Sequence, residues 1–237
     1  MVNKKTRKKK TSWLRYFVKL ILVFALLLLA ISVAAVGALR WVDPPLTAFM
    51  LQHKLSSNVP LRHQWVPTSK ISQHIAIAAV ASEDQKFPYH HGFDVDEIQS
   101  AIKDRIRGKR LRGASTITQQ VAKNIFLWRE KSLLRKSVEA YFTVLIELLW
   151  AKPRILEVYL NIAEFGPGIY GVESASRYYF KKSAWQLNIM EASRLVAILP
   201  NPAHLKLKPP SDYVKQRANE IQRQVKQLGG FKYLNTN

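Results

Sequence analysis

The strongest pattern along the chain is an unbroken apolar run. Residues 20–39 read LILVFALLLLAISVAAVGAL, 20 positions without a charge. At 1.5 Å of rise per residue, about 20 apolar residues cross a hydrocarbon core of ~30 Å. Lipid offers the backbone no partners, so such a run must be helical. Asp43-Pro44-Pro45 then stops it, because proline cannot continue a helix and restrains its predecessor. Residues 46–70 read as a short helix followed by a loop containing Pro60 and Pro67. From Ile71 onward apolar positions recur every three to four residues, with few strand-like alternations. The spacing predicts helices near 71–82, 94–107, 115–127, 132–150, 153–163, 170–179, 189–199 and 211–228, hence an all-α domain. Ser115, Ser132 and Ser211 are placed to cap helix starts. Pro153 suits a first turn and Gly229-Gly230 a helix stop. No internal repeat is visible.

Charge fixes an orientation for the apolar run. Lys4, Lys5, Arg7, Lys8, Lys9, Lys10, Arg15 and Lys19 precede it and no acidic residue does, so the N-terminus is expected in the cytoplasm and everything after Arg40 outside. Trp13, Tyr16 and Trp41 are suited to the two interfaces. A cleaved signal peptide is the rival reading, with residues 36–38 as its exit, but its apolar region usually runs only ~7–15 residues. The net charge is +21, and beyond the leader 29 basic residues still face 16 acidic ones. Such a surface favours an anionic partner. With no cysteine, disulfides and thiolate metal sites are excluded.

Four stretches carry groups capable of chemistry. Residues 83–94, EDQKFPYHHGFD, follow an apolar helix and include a proline and a glycine, which suits a loop. Glu83 and Asp84, beside Lys86, His90 and His91, could form a tuned base or merely a solvated helix end. Adjacent histidines rarely face one ion and no HExxH spacing exists, so a metal is not expected. In residues 112–127, RGASTITQQVAKNIFL, helical spacing makes two polar rows: Ser115, Gln119, Lys123 and Thr116, Gln120, Asn124. They suit hydrogen bonding to a sugar or phosphate, or form an ordinary polar face. Arg135 and Glu139 are four apart and could be a surface ion pair worth about 0.3–0.5 kcal/mol. Residues 152–180 place Ile155, Leu156, Tyr159 and Leu160 at core spacing, and Tyr178, Tyr179 and Phe180 read as packing residues rather than a binding platform. Ser100-x-x-Lys103 matches S-x-x-K, but no S-D-N or K-T-G follows it.

In order, these stretches resemble the family-51 glycosyltransferases, the polymerase module of peptidoglycan synthesis, and among them the monofunctional membrane-anchored enzymes. The family pattern E-D-x-x-F-x-x-H-x-G-x-D is met by Glu83, Asp84, Phe87, His90, Gly92 and Asp94; G-x-S-T-I-T-Q-Q-x-x-K-N runs from Gly113 to Asn124; R-K-x-x-E is Arg135, Lys136 and Glu139; K-x-x-I-L-E-x-Y-L-N runs from Lys152 to Asn161. A looser fifth segment includes Glu191, Ala192, Leu195, Ala197 and Pro202. Lys131 stands where related enzymes often have arginine, which weakens a bidentate phosphate grip there.

The resemblance implies a lysozyme-like helical lobe with a small membrane-proximal jaw. It divides the chain into a basic cytoplasmic N-terminus (1–19), a transmembrane helix (20–39), a linker and start of the jaw (40–70), the glycosyltransferase domain (71–230) and a tail (231–237). It implies lipid II as acceptor, a growing lipid-linked glycan as donor, and a β-1,4 product formed with inversion. Glu83 would be the base and Glu139 the second carboxylate. Asp84, Phe87, His90, Gly92, Ser115, Thr116, Thr118, Gln119, Gln120, Lys123, Asn124, Lys131, Arg135, Lys136 and Asn161 would bind substrate. No cofactor is required, though a divalent cation could assist the pyrophosphate. Expected partners are the lipid-linked substrates, the membrane and proteins of cell division or elongation, and not nucleic acid. A moenomycin-sensitive enzyme of the bacterial cytoplasmic membrane is expected. Residues 125–128, with Arg129 and Lys131 beside them, could touch the bilayer or simply pack a helix end. The competing readings are a lysozyme-like muramidase or lytic transglycosylase, which needs no cationic pyrophosphate clamp, and a basic non-enzymatic membrane protein.

Overall fold

The computed structural model describes residues 4–108 and 115–235. The chain divides after Val42 into two compact units. In the first, helix α1 (Lys4–Ala38) is continuous and contains a 26-residue stretch, Trp13–Ala38, long and apolar enough to cross a membrane. Leu26 and Ile31, like most of its side chains, are exposed, as expected for a surface that packs against lipid rather than a protein core.

The second unit is helical around a very small sheet. In order it comprises α2 (Ala48–Ser56), β1 (Arg62–His63), α3 (Gln73–Glu83), α4 (Val95–Ile106), α5 (Ile117–Phe126), α6 (Leu133–Leu149), α7 (Lys152–Ile162), β2 (Glu164–Gly166), β3 (Ile169–Tyr170), α8 (Val172–Phe180), α9 (Ile189–Ile198) and α10 (Asp212–Gln227). The expected helices are all present, with ends displaced by at most two residues. β3 lies between β1, its parallel neighbour, and β2, its antiparallel one. That sheet was not anticipated, because strands of two or three residues are too short to show alternation.

Two helical groups make the core. α3 carries buried apolar residues around most of its circumference, from Ile75 and Ile77 to Val80 and Ala81, and packs against α9 and α10. α5 packs between α6 and α7 with Ile117, Val121 and Ala122 fully buried. Ser132 and Ser211 cap α6 and α10 through their side chains, and Pro153 sits in the first turn of α7. The cap of α5 is Thr116 rather than Ser115: its Oγ1 accepts from Gln119 N, and Gln119 Oε1 accepts from Thr116 N. This reciprocal pair satisfies two backbone donors at once, which a lone serine one residue earlier does not.

Asn161 is fully buried and pins the approach to α3 against α7. Its Oδ1 accepts from Val66 N at 2.9 Å, and its Nδ2 donates to Val66 O and Glu157 O, both at 2.9 Å. Every polar atom of the side chain is bonded to the backbone, which holds these two segments together. Asn161→Leu should destabilise the domain by about 2–4 kcal/mol, since it strands buried backbone groups, and denaturant unfolding will measure the loss.

Candidate active site

Glu83 is the last residue of α3, and its position follows from that helix's burial. Ser72 caps the start by accepting from His74 N, and the apolar body fixes the helix against α9 and α10. The chain leaves the helix at Asp84, which adopts extended backbone (φ −163°). The Asp84 carboxylate is buried and joins two elements. It accepts from Ile117 N at 2.9 Å, in the first turn of α5, and from His90 Nε2 at 2.8 Å. A carboxylate at a helix N-terminus satisfies an orphan donor and complements the helix dipole. His90 Nδ1 accepts from Gly92 N at 3.1 Å, so the ring proton resides on Nε2, facing Asp84.

The rest of the loop is fastened from outside. Thr116 Oγ1 donates to Gly92 O at 2.7 Å. Lys152 Nζ donates to His90 O at 2.6 Å, pairs with Glu147 at 2.9 Å and sits 4.6 Å from the centre of the Phe87 ring. Thr118 Oγ1 donates to the same Glu147 carboxylate. Gly92 has φ +86°, and a Cβ there would meet Thr143 Cγ2 at 2.8 Å and Glu147 Cγ at 2.9 Å. Only glycine fits both restrictions. Asp84, Phe87, His90, Gly92, Thr116 and Thr118 thus spend their contacts on holding the loop to α5, α6 and α7.

A different subset of the expected residues converges on the two glutamates. Gln120 Nε2 donates to Glu83 Oε2 at 3.1 Å, and Ser82 Oγ donates to Oε1 at 3.3 Å. Burial pushes the Glu83 carboxyl above its ordinary value; Gln120, Arg217, Ser82 and Lys123 pull the other way without cancelling it. Glu139, 2% exposed, accepts from Arg135 at 2.6 Å and pairs with Lys136. Lys123 feels the charge of both carboxylates. Burial lowers its pKa, the charges of Glu139 and Glu83 raise it, and Arg135 and Lys136 depress it further. Two cations therefore pair with Glu139 and a third, Lys123, feels its charge, so positive groups outnumber this one buried carboxylate. Gln119 and Asn124 are buried at the same helix, and Ser115 is half-buried just ahead of it. Lys131 lies exposed before α6 and forms no ion pair among the described residues; Gly113 falls outside them.

Four contributors were not singled out from the sequence. Arg217, on α10, donates to Ser82 Oγ at 3.1 Å and contributes positive charge to the Glu83 environment. The Phe49 ring, on α2, lies 5.7 Å from Lys123 Nζ and 4.8 Å from the Arg129 guanidinium. Gln52 accepts from Arg129 N and donates to Leu127 O, tying α2 to the end of α5. Tyr159 was legible only as core; its hydroxyl is fully buried without a hydrogen-bond partner among the described residues, and burial with the charges of Glu83 and Asp84 drives its pKa well up. No cluster of metal-ligating residues occurs among the described residues.

A buried carboxylate under the influence of nearby cations suits group transfer from a donor whose leaving group is anionic. Residues 52–226 match the transglycosylase family, and the chain belongs to that family of glycosyltransferases. Its relatives include the biosynthetic peptidoglycan transglycosylases of Shewanella oneidensis, 52% identical over 84% of this chain and 86% of that protein, and of Pasteurella multocida, 50% identical over 92% and 90%. That of Pseudomonas syringae pv. syringae is 50% identical over 94% of this chain and 95% of its own length.

Arg217 offers a direct check on the electrostatics. Arg217→Met removes a charge that favours ionised Glu83, so the acid limb of kcat/KM should move to higher pH with little change on the alkaline side. A pH–rate profile of the variant against the native enzyme measures this.

Proposed function

We propose that the protein polymerises peptidoglycan glycan strands, transferring a growing lipid-linked glycan from its undecaprenyl pyrophosphate to the 4-hydroxyl of lipid II. The observation carrying this reading is the placement of Lys123 within electrostatic reach of both Glu83 and Glu139. A sugar hydroxyl is a weak nucleophile at neutral pH and needs a positioned base. Glu83 is that base: its raised proton affinity lets it receive the hydroxyl proton as the oxygen attacks the anomeric carbon from the face opposite the departing diphosphate. One displacement inverts the centre, converting the α-linked donor into a β-1,4 product. Lys123, Arg135 and Lys136 neutralise the leaving diphosphate, and Glu139 holds the latter two in place. Gln120 keeps the Glu83 carboxylate aimed across the gap.

A hydrolase acting on finished murein would use a similar acid but has no leaving diphosphate, so three cations around one buried glutamate would only add desolvation cost. The cationic cluster therefore favours the polymerase over the muramidase or lytic transglycosylase. A divalent cation could share the diphosphate charge, and moenomycin is the inhibitor expected for this family.

The lipid chains of both substrates place the work at a bilayer surface. α1 anchors the chain in the bacterial cytoplasmic membrane, with its basic end in the cytoplasm and residues after 40 outside. At the end of α5, Ile125 and Leu127 are buried and Phe126 stacks on Phe142 with ring centres 4.2 Å apart, so that segment mainly packs. α6 instead presents Leu134, Tyr141, Val144 and Leu148, the last 75% exposed, along one stripe. Apolar side chains in a row beside basic residues suit the interfacial depth.

Glu83→Gln should lower lipid II polymerisation by about 10²–10⁴, read as labelled glycan product. The same variant should gain stability at neutral pH. A carboxyl whose folded pKa lies above its unfolded value favours the fold fully below the unfolded value and loses that contribution as pH rises through the folded one. The gain over the native protein should therefore vanish in acid, as thermal unfolding at several pH values will test. For the membrane face, Leu134→Glu with Leu148→Glu should weaken liposome association of residues 43–237 several-fold; unchanged association would remove α6 from the interface.

A further inference from the structure

A second basic site lies outside the Glu83–Glu139 cluster and shares no residue with it. A groove of about 390 Å³ runs between β1 and α8, lined in part by Arg62, His63, Ser174, Arg177, Tyr178 and Lys181. Burial lowers the His63 pKa, and its Nε2 donates to Asn161 O, so His63 lines the groove as a neutral ring at neutral pH. Arg177 is spoken for by Glu173 at 2.6 Å. Arg62 and Lys181 have no acidic partner among the described residues. They lie 5.5 Å and 5.9 Å from the centre of the Tyr178 ring, which is 45% exposed.

Backbone conformation singles out the same place. Lys181 ends α8 in the left-handed region (φ 60°, ψ 29°). Every other positive-φ position among the described residues is a glycine. Glycine would adopt that conformation without strain, whereas a lysine there is retained at a cost. The cost is accounted for if the side chain itself has a task on the groove.

We propose that this groove is a second substrate-binding site that takes carboxylate groups on the peptides carried by the glycan strand. The proposal rests on the polymerase reading above. Its chemistry follows from the lining: the planar fork of Arg62 matches a carboxylate, Lys181 adds a second positive point, and the Tyr178 ring beneath both holds them at the groove. The diphosphate has its own cations at Lys123, Arg135 and Lys136, whereas the elongating strand presents fresh carboxylates with each disaccharide added. A groove holding them would keep the strand on the enzyme between additions.

The test uses the full-length protein in detergent and two probes: uncrosslinked glycan strands bearing their peptides, and the same strands with the peptides removed by an amidase. Peptide-bearing strands should bind several-fold more tightly. Lys181→Gly and Arg62→Gln should each weaken that binding by roughly threefold, and together by about tenfold, bringing it near the stripped strands. Lys181→Gly should not lower the unfolding temperature, because it relieves the left-handed strain, so weaker binding cannot be ascribed to misfolding. The double variant should form the first bond from lipid II at the native rate yet release shorter products. Equal affinity for the two probes would overturn the proposal, as would variants that bind peptide-bearing strands like the native protein. So would a loss confined to binding of phosphatidylglycerol vesicles, which would assign the cations to lipid headgroups. A native protein inert toward lipid II would overturn the polymerase reading itself, a result separable from any change in strand affinity.

Discussion

The contact on which the site depends is made by Asp84. One buried carboxylate accepts the first free N–H of α5 and the His90 ring, and so fixes the end of α3 to the start of α5. Glu83 is its immediate neighbour in sequence. Because α3 is locked by its apolar body against α9 and α10, and α5 by α6 and α7, this junction decides how Glu83 faces Gln120 and Lys123. An ionised carboxylate with charge-assisted hydrogen bonds at a helix terminus is among the stronger local contacts available to a protein. The surrounding ties — Thr116 to Gly92, Lys152 to His90 and Glu147 — repeat the same task at three further points. The adjacent Glu-Asp pair thus divides its labour: Asp84 ties two elements together, while Glu83, on the reading proposed above, is left for the chemistry.

The electrostatics follow from that division. Each acid accepts from two donors, but those of Asp84 approach to 2.8–2.9 Å whereas those of Glu83 stand at 3.1 and 3.3 Å, and at Glu83 burial wins over them. Lys123 is held equally uneasily, buried near two other cations and compensated by Glu139 and Glu83 together. On the proposed reaction a bound substrate would relieve both: a diphosphate beside Lys123 would supply negative charge, and a sugar hydroxyl beside Glu83 would supply a proton. Such an arrangement is common at sites that tune proton affinity.

Much of this was legible in the chain. The helices were, because α5, α7 and α9 bury apolar residues at a steady period, α3 is a near-continuous apolar run, and all four start at Ser, Thr or Asn caps or beside a proline. Glu83, Lys123, Arg135 and Glu139 stood out through their motifs. The structural ties of Asp84, Thr118 and Asn161 were not visible, because they bond to residues up to 95 positions away. Arg217 gave no signal either: on a strongly polar helix it looks like any solvated cation until α10 folds back onto Ser82, 135 positions earlier. Tyr178 was expected to pack like its neighbour Tyr179, yet only Tyr179 turns inward to donate to Phe165 O, leaving Tyr178 on the surface. Adjacent positions on a helix point about 100° apart, so three aromatics in a row cannot all share one buried face.

Glu139 shows why geometry has to qualify motif. In sequence it pairs with Arg135 at a spacing common on solvated helices, where the contact would be worth little. Here Glu139 is buried and accepts from two cations while influencing a third. Desolvating that group is costly unless it is fully paired, and removing the carboxylate would leave cations repelling one another. A glutamate so occupied is poorly placed to pass a proton and well placed to keep three positive charges in a small volume. On the proposed reaction the site would need two acids for opposite reasons: Glu83 free to accept a proton, and Glu139 never free, because its fixed charge would let the cations await a diphosphate.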